Sequence, residues 1–273
     1  MELTDTHTHT WLSRHGNGTV DEVVASAVAQ GMTLIALTEH LPLPLEVDDG
    51  TFAMEASKME EYFTAIEEAR HKYPHIEIIT GTEIDWRYGA EDYILGWLED
   101  WRFELLLGSV HMLTDNKGNQ WEFDHPAYAE GWNERGEEQV WQAYLALWLQ
   151  ALASNVPFDV MTHPDLPKKL NHKPTFDPTE LYATMAEAAA GAGVMIEVNT
   201  SGLHVPAKEL YPSPVLLKMF CEAGVPCTMS SDAHTPQNVG RSFAEGYAAL
   251  RAAGYTHVTV PTRSGDRRQI PLD

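Results

Sequence analysis

Short, nearly continuous apolar runs alternate along this chain with stretches whose apolar positions recur every three to four residues. The runs predict strands over Glu2–Thr6, Thr33–Thr38, Glu77–Thr82, Glu104–Ser109, Phe158–Thr162, Val194–Asn199 and Val225–Ser230. The periodic stretches predict helices over Asp21–Gln30, Met54–Lys72, Ala90–Glu99, Glu137–Ser154, Pro178–Ala190, Ser213–Ala223 and Arg241–Ala253. In the fourth of these, Val140, Trp141, Tyr144, Leu145, Trp148 and Leu152 form one core stripe, so its aromatics read as packing. Seven β-then-α units imply a parallel sheet with right-handed crossovers. Strands apolar on both faces imply that helices cover the sheet, as in an open doubly wound fold or a barrel. No GxGxxG or GxxxxGK[ST] follows any strand, so a nucleotide-binding open sheet has no support. No linker, repeat or low-complexity block divides residues 1–273, and the expectation is one α/β domain. A last run, Thr256–Pro261, predicts an extra strand followed by a hairpin to Pro271-Leu272.

Composition narrows the function classes. The 273 residues are 44% hydrophobic, enough for a sizeable core. The formal net charge of −22 argues against nucleic acid as a partner, because phosphate-backbone binding rests on Lys and Arg clusters. The basic group Arg263, Arg267 and Arg268 reads as a solvated C-terminal hairpin. No basic start precedes an apolar run, and nothing approaches the roughly 18 apolar residues of a membrane span. A soluble, cytoplasmic protein with no membrane partner is expected. Cys221 and Cys227, without finger or CxxC spacing, read as core filler.

The polar, metal-competent residues lie at or just past the C-terminal ends of successive strands. Strand one ends in His7 and His9, with His15 in the loop beyond. Strand two ends in Glu39-His40, strand three in Glu83 with Asp85 on the same face, and strand four in His111. Strand five ends in His163 and strand seven in Asp232-Ala233-His234. An isolated His-x-His is weak evidence, since a solvated His-rich terminus gives the same pattern. Seven histidines and two carboxylates placed this way are another matter: in a closed parallel barrel these ends converge on one rim. Nine donors exceed the three protein ligands of a catalytic zinc and suit a cluster of two or three ions with a bridging carboxylate. Such a cluster is a hydrolytic device, with phosphoester and C–N bonds both open as targets. His71, His75 and His257 lie away from the rim, and His125 and His172 lie in rim loops.

Asp5-Thr6-His7-Thr8-His9, Thr38-Glu39-His40, Gly81-Thr82-Glu83 and Ser231-Asp232-Ala233-His234 resemble the four motifs of the PHP (polymerase and histidinol phosphatase) superfamily. Gly108-Ser109-Val110-His111, Trp121-Glu122-Phe123-Asp124, His163-Pro164-Asp165-Leu166-Pro167-Lys168-Lys169, Asn199-Thr200-Ser201-Gly202-Leu203 and Glu209-Leu210-Tyr211-Pro212-Ser213-Pro214 resemble its histidinol-phosphatase branch. The resemblance covers the chain in order. It implies a distorted (β/α)7 TIM-like barrel and three divalent ions of zinc, iron or manganese. One ion would be held by His7, His9, Glu83 and Asp232. A second would be held by Glu83, His111 and His163, and a third by His15, His40 and His234. Glu83, Asp232 and His234 are expected to carry the chemistry. The implied reaction is hydrolysis of L-histidinol phosphate, in histidine biosynthesis, by a metal-bridging hydroxide.

A phosphate monoester also calls for cationic donors, and Lys168 or Lys169 after strand five could supply them. Asn199 belongs to the same candidate pocket. Family members often carry an Arg after Ser-Gly-Leu; His204 stands there instead, with Lys208 as a possible substitute. Glu39, Asp85 or Asp124 could meet the substrate's ammonium and imidazole, and Asp5 could orient a ligating imidazole. Two other functions fit less well. A PHP phosphoesterase for a nucleotide, sugar phosphate or phosphotyrosyl protein would share the cluster. A non-catalytic metal scaffold would be expected to show gaps in the ligand set, and none is found.

Overall fold

The computed structural model describes residues 2–48, 50–114 and 120–272. Its strands are β1 (Thr4–Asp5), β2 (Leu34–Leu37), β3 (Glu77–Asp85), β4 (Leu105–Ser109), β5 (Met112–Thr114), β6 (Gln120–Glu122), β7 (Val160–Met161), β8 (Met195–Asn199), β9 (Cys227–Ser230), β10 (His257–Pro261) and β11 (Arg267–Pro271). The helices are α1 (Val20–Ala29), α2 (Met59–Lys72), α3 (Glu91–Asp100), α4 (Glu130–Arg135), α5 (Glu137–Ala153), α6 (Thr179–Ala192), α7 (Pro214–Glu222) and α8 (Phe243–Ala253). All seven expected strands and all seven expected helices are present, as is the C-terminal hairpin β10–β11.

The seven main strands pair in the order β1-β2-β3-β4-β7-β8-β9, every neighbour parallel. The sheet is nearly closed. Between β9 and β1 the seam is made by Thr6 N donating to Met229 O (3.2 Å), His9 N donating to Ala233 O (2.8 Å) and a parallel bridge between Thr8 and Ala233. Asp5 reinforces it: its carboxylate accepts from Ser231 N (2.9 Å), Gly240 N (3.1 Å) and the Ser231 hydroxyl. Asp5 therefore clasps the two ends of the barrel and contacts no imidazole; among the described contacts its one link to His7 is with the backbone N–H. This corrects the role assigned to it from sequence.

Helices pack outside, each for a legible reason. At α1, Thr19 and Glu22 form a capping box, Thr19 N donating to Glu22 Oε2 at 2.7 Å and Glu22 N to Thr19 Oγ1 at 3.3 Å. In α5, Val140, Trp141, Tyr144 and Trp148 are buried as the stripe predicted. Close strand packing explains Gly108, where a Cβ would meet Phe158 Cδ1 at 2.7 Å and Met161 Sδ at 2.8 Å. Three elements went unpredicted within Met112–Gly136, the three-residue strands β5 and β6 and the six-residue α4. Each is too short to display a period, and 115–119 lie outside the described residues. The arginines of the last hairpin are engaged: Arg263 Nε is 3.2 Å from Glu104 Oε1, Arg268 Nη1 is 2.6 Å from Glu2 Oε1, and Arg267 donates to Gly193 O. Among the described residues no helix is long and apolar enough to cross a membrane.

Tyr62 on α2 shows how a helix is fastened to the sheet. Its fully buried hydroxyl lies 2.5 Å from Leu37 O, at the end of β2, and 2.8 Å from Gly81 O, midway along the neighbouring β3. Tyr62→Phe leaves those carbonyls without this donor and is expected to cost about 1–3 kcal/mol in urea denaturation. An unchanged midpoint would remove Tyr62 from the forces that hold α2 in place.

Candidate metal centre

The rim is built by extending strands past their apolar cores. Beyond β2 and β3 the pairing continues as a bridge between His40 and Glu83, with Glu83 N donating to Glu39 O (3.0 Å) and Leu41 N to Glu83 O (2.8 Å). That register sets His40 beside Glu83. Glu83 and Asp85, two apart on β3, face the same side. His163 and Asp232 have positive φ (25° and 51°), and such strain in residues other than glycine persists where the surroundings fix the backbone, commonly at functional sites.

Glu83 is the hub. Its Oε2 lies 3.2 Å from His7 Nε2, 3.3 Å from His9 Nε2 and 3.3 Å from His40 Nδ1. Its Oε1 lies 3.1 Å from His163 Nε2 and 3.7 Å from His111 Nε2. One carboxylate thus faces two groups of imidazoles, as a bridging ligand does. Asp232 Oδ1 completes the first group, 3.8 Å from His7 Nε2 and 3.6 Å from His9 Nε2, and those two nitrogens are 3.0 Å apart. Donors around a tetrahedral ion with bonds of about 2.0–2.1 Å stand about 3.3–3.4 Å from one another, so this spacing suits a cation. The donor sets His7/His9/Asp232, His9/His40/His234 and His40/Glu83/His111 each converge within one ion's reach.

The third group gives a sharper test of fit. His15 Nδ1 lies 3.1 Å from Phe52 O, and His234 Nδ1 lies 3.0 Å from Asp232 O. Carbonyl oxygens only accept, so both Nδ1 atoms carry protons and, in neutral rings, both Nε2 atoms carry lone pairs. Those lone pairs face each other at 2.8 Å. Desolvation among the packed rings, then His40 and His9, lowers the pKa of His15; burial and His9 hold His234 well below the usual imidazole range. Two neutral lone pairs at that distance repel unless both are turned onto a shared cation.

Behind the donors stands a layer of orienting groups. Asp85 reaches both His40 Nδ1 (3.0 Å) and His111 Nδ1. Glu39, fully buried, accepts from the Ser13 hydroxyl, whose oxygen is 3.2 Å from His9 Nδ1. Glu39 and Asp85 are therefore occupied with histidines and are not open to a substrate. Glu197 was not foreseen. Its carboxylate accepts from His7 Nδ1 (3.1 Å), His163 N (2.9 Å) and Asn199 Nδ2 (2.9 Å). Burial raises the Glu83 carboxyl, but the charges of His40, His7 and His111 outweigh it and hold Glu83 well below the carboxylate range.

The pocket over this centre is lined by Phe52, Asp124, Leu166, Lys169, Ser201 and Tyr211 together with the candidate ligands. Lys169 belongs to it, its Nζ 2.7 Å from Asp124 Oδ2. Lys168 does not line it. It is fully buried and its Nζ lies 2.7 Å from Asp165 Oδ2, 3.0 Å from Glu209 Oε2 and 2.7 Å from Leu210 O. His204 is exposed, away from the lining, with Nε2 3.0 Å from Ser242 Oγ. Asn199 is buried and orients Asp232, Nδ2 to Oδ2 at 3.2 Å. His172 stacks on Trp132 with centroids 3.9 Å apart, and His71 and His75 are exposed, so these three stand outside the centre.

A nearly closed parallel barrel with seven imidazoles and two carboxylates gathered on its carboxyl rim defines a metal-binding barrel of the hydrolase type. A PHP domain model matches residues 5–201. A Deinococcus radiodurans protein named "Probable histidinol-phosphatase" is 32% identical over 96% of this chain and 97% of its own. A Schizosaccharomyces pombe protein of the same name is 24% identical over 92% and 87%. Among solved structures, hisK of Listeria monocytogenes has a TM-score of 0.82 at 25% identity, covering 89% of this chain and 99% of that one. A Lactococcus lactis histidinol phosphate phosphatase, solved with zinc, L-histidinol and phosphate, gives 0.78 at 20% identity over 98% and 99%. This chain belongs to the PHP domain family.

Glu197 offers a test of the orienting layer. Glu197→Gln preserves shape and removes the charge behind His7, and partners of this kind typically contribute 10–100-fold to metal affinity. A loss of about that size is expected in chelator competition. Affinity equal to that of the unsubstituted protein would leave Glu197 as a packing residue.

Proposed function

We propose that this protein is a histidinol-phosphatase that cleaves L-histidinol phosphate to L-histidinol and phosphate with three divalent ions, zinc, iron or manganese. The convergence of two imidazole groups on the two oxygens of Glu83 carries the reading. His7, His9, Glu83 and Asp232 would hold one ion, Glu83, His111 and His163 a second, and His15, His40 and His234 a third. When bound, such ions draw charge from a phosphoryl oxygen and lower the pKa of water. The name of the Deinococcus relative supports the choice of substrate.

The chain's own groups do the rest. Lys169 presents an ammonium to the pocket. Burial works against its charge, but Asp124 overcomes this and raises its pKa, so it stays charged at neutral pH and can donate to a phosphate oxygen. With Lys168 bound to Asp165 and Glu209, Lys169 is the better of the two candidate clamps. Ser201 holds Asp232, donating to Oδ2 at 3.2 Å, while Phe52, Leu166 and Tyr211 wall the pocket with apolar surface.

Two measurements bear on this. Metal-loaded protein is expected to release phosphate from histidinol phosphate at least tenfold faster, by kcat/KM, than from nucleotide or sugar monophosphates, a difference of about 1.4 kcal/mol in transition-state binding. Equal rates across the panel would replace the reading with a broader PHP phosphoesterase. The second concerns protons. Burial lowers the pKa of His7, His40 and His111, but Glu197 and Glu83 for His7, Glu83 and Asp85 for His40, and Asp85 for His111 more than compensate. All three are raised, His111 to about 9. His7 and His111 therefore keep their protons through neutral pH, and an ion must displace them. Metal affinity is therefore expected to rise from pH 6 to 8, with proton release in calorimetry performed in buffers of different ionisation enthalpy. Buffer-independent heats would contradict this.

A further inference from the structure

The three groups of donors differ in exposure. His7 and His9 are fully buried, and His163 and His111 are 2% and 8% exposed. His15 is exposed, and the His234 side chain keeps 31% of its accessible surface. The outermost group is also the only one of the three with a ligand from the loop after β1, distant from any strand end. What fixes His15 is a turn in the loop after β2. The Asp48 carboxylate is buried beneath that turn and accepts four backbone N–H bonds, from Gly50 (2.9 Å), Thr51 (3.2 Å) and Phe52 (3.2 Å) on Oδ1 and from Ala53 (3.2 Å) on Oδ2. Arg14, next to His15 in the chain, brings Nη1 to 3.7 Å from Asp48 Oδ2. Gly50 has φ +95°, a conformation that strains residues other than glycine, and a Cβ there would stand 3.0 Å from that Nη1, so the arginine would have to shift slightly.

This turn presents Phe52 to the metal centre twice. Its carbonyl takes the His15 Nδ1 proton at 3.1 Å, which leaves Nε2 as the lone pair aimed at His234. Its ring lies parallel to His15 (6° between planes, centroids 5.3 Å apart), 4.2 Å from the His40 ring and edge-on to His111 at 5.5 Å. Two of the three outermost donors are thus oriented by one residue whose position depends on one carboxylate.

We propose that the turn whose Gly50–Ala53 N–H groups Asp48 holds is a retention clamp for the outermost ion, with Asp48 as a positioning residue, and that this ion is the exchangeable one of the three. The inference rests on the three-ion reading above. Asp48 touches no candidate ligand; it acts by ordering the turn that selects the His15 tautomer. The inner positions are enclosed by strand ends, with His7 and His9 fully buried and His163 and His111 nearly so. The outer one opens to water and is held by a loop, so its ion leaves first when the turn loosens.

The test uses the full chain loaded with zinc and challenged with graded chelator, reading zinc per chain by elemental analysis, alongside ¹⁵N spectra of the His15 ring in the metal-free protein. The unsubstituted protein should lose one ion well before the other two, and its His15 should be the Nδ1–H tautomer. In Asp48→Ala the first ion should leave at chelator strength at least tenfold lower, the other two should leave as before, and His15 should become a mixture of tautomers. Asp48→Asn keeps one acceptor oxygen and should shift the first step less, in the same direction; it also serves if the alanine variant fails to fold. Phe52→Ala keeps the carbonyl and removes the ring, and should fall between them. An Asp48→Ala protein whose first ion is held as tightly as before overturns the clamp, as does one that loses all three ions in parallel. An unsubstituted protein that binds only two ions overturns the three-ion reading and the clamp with it, a result visible before any variant is measured.

Discussion

Glu83 is the group on which the rest of the molecule depends. A carboxylate removed from water loses several kcal/mol of solvation unless charge of the opposite sign replaces it. Here the replacement comes from five imidazoles at the ends of β1, β2, β4 and β7, so the barrel must close in the right register for Glu83 to be tolerable at all. Three of the imidazoles have a partner on the far nitrogen: Glu197 serves His7, Asp85 serves His111, and the Glu39–Ser13 pair serves His9, while Asp85 shares the Nδ1 of His40 with Glu83. The rim is therefore two concentric layers of acid with a layer of imidazole between them, and a cation in the middle relieves repulsion that protons relieve otherwise.

The same constraint explains the seam. β1 has two residues in its ladder, too few to hold a barrel edge alone, yet it delivers His7 and His9. Asp5, immediately upstream, joins that short strand to Ser231 and Gly240, and Ser231 is followed by Asp232. The two ends of the barrel are locked together two residues before His7 and one residue before Asp232. Burial pushes the Asp5 carboxyl up to about 6 against the pull of those hydrogen bonds, so its charge is stabilised mainly by the bonds that close the barrel.

How far the sequence could be read follows from what has a period or a fixed place. Strands, helices and the histidines at strand ends were legible because both kinds of signal repeat. Glu197 was missed although its signal was present: Met195-Ile196-Glu197-Val198-Asn199 sets an acid and an amide two apart, hence on one face, inside a strand buried on both sides. A charge there implies a partner in the barrel interior. The adjacent Lys168 and Lys169 lie in a tight 3-10 turn, and their spacing alone could not tell which faces the pocket. His204 was weighed by its place in a motif, while its exposure depends on tertiary structure. Phe52 lies in an irregular loop with no period, and nothing in its neighbourhood marks it until the Asp48 turn is seen.

The charge of −22 poses the remaining physical question, since a phosphate monoester approaches as an anion. Fields from distant carboxylates fade over a Debye length of about 8 Å at physiological ionic strength, so the local balance decides. Locally, one ammonium, Lys169, lines the pocket, and Asp124 already neutralises it. Lys168 faces Asp165 and Glu209, and His204 is outside. Against these stand Glu83 and Asp232, both held in the charged form. The protonated rings of His7 and His111 are themselves neutralised by Glu197, Glu83 and Asp85, so the protein's own side chains offer an anion little net attraction, and the positive charge has to arrive with the ions. In such a site metal and substrate binding are coupled: the carboxylates that make the pocket hostile to phosphate are the ligands that recruit the charge that makes it hospitable.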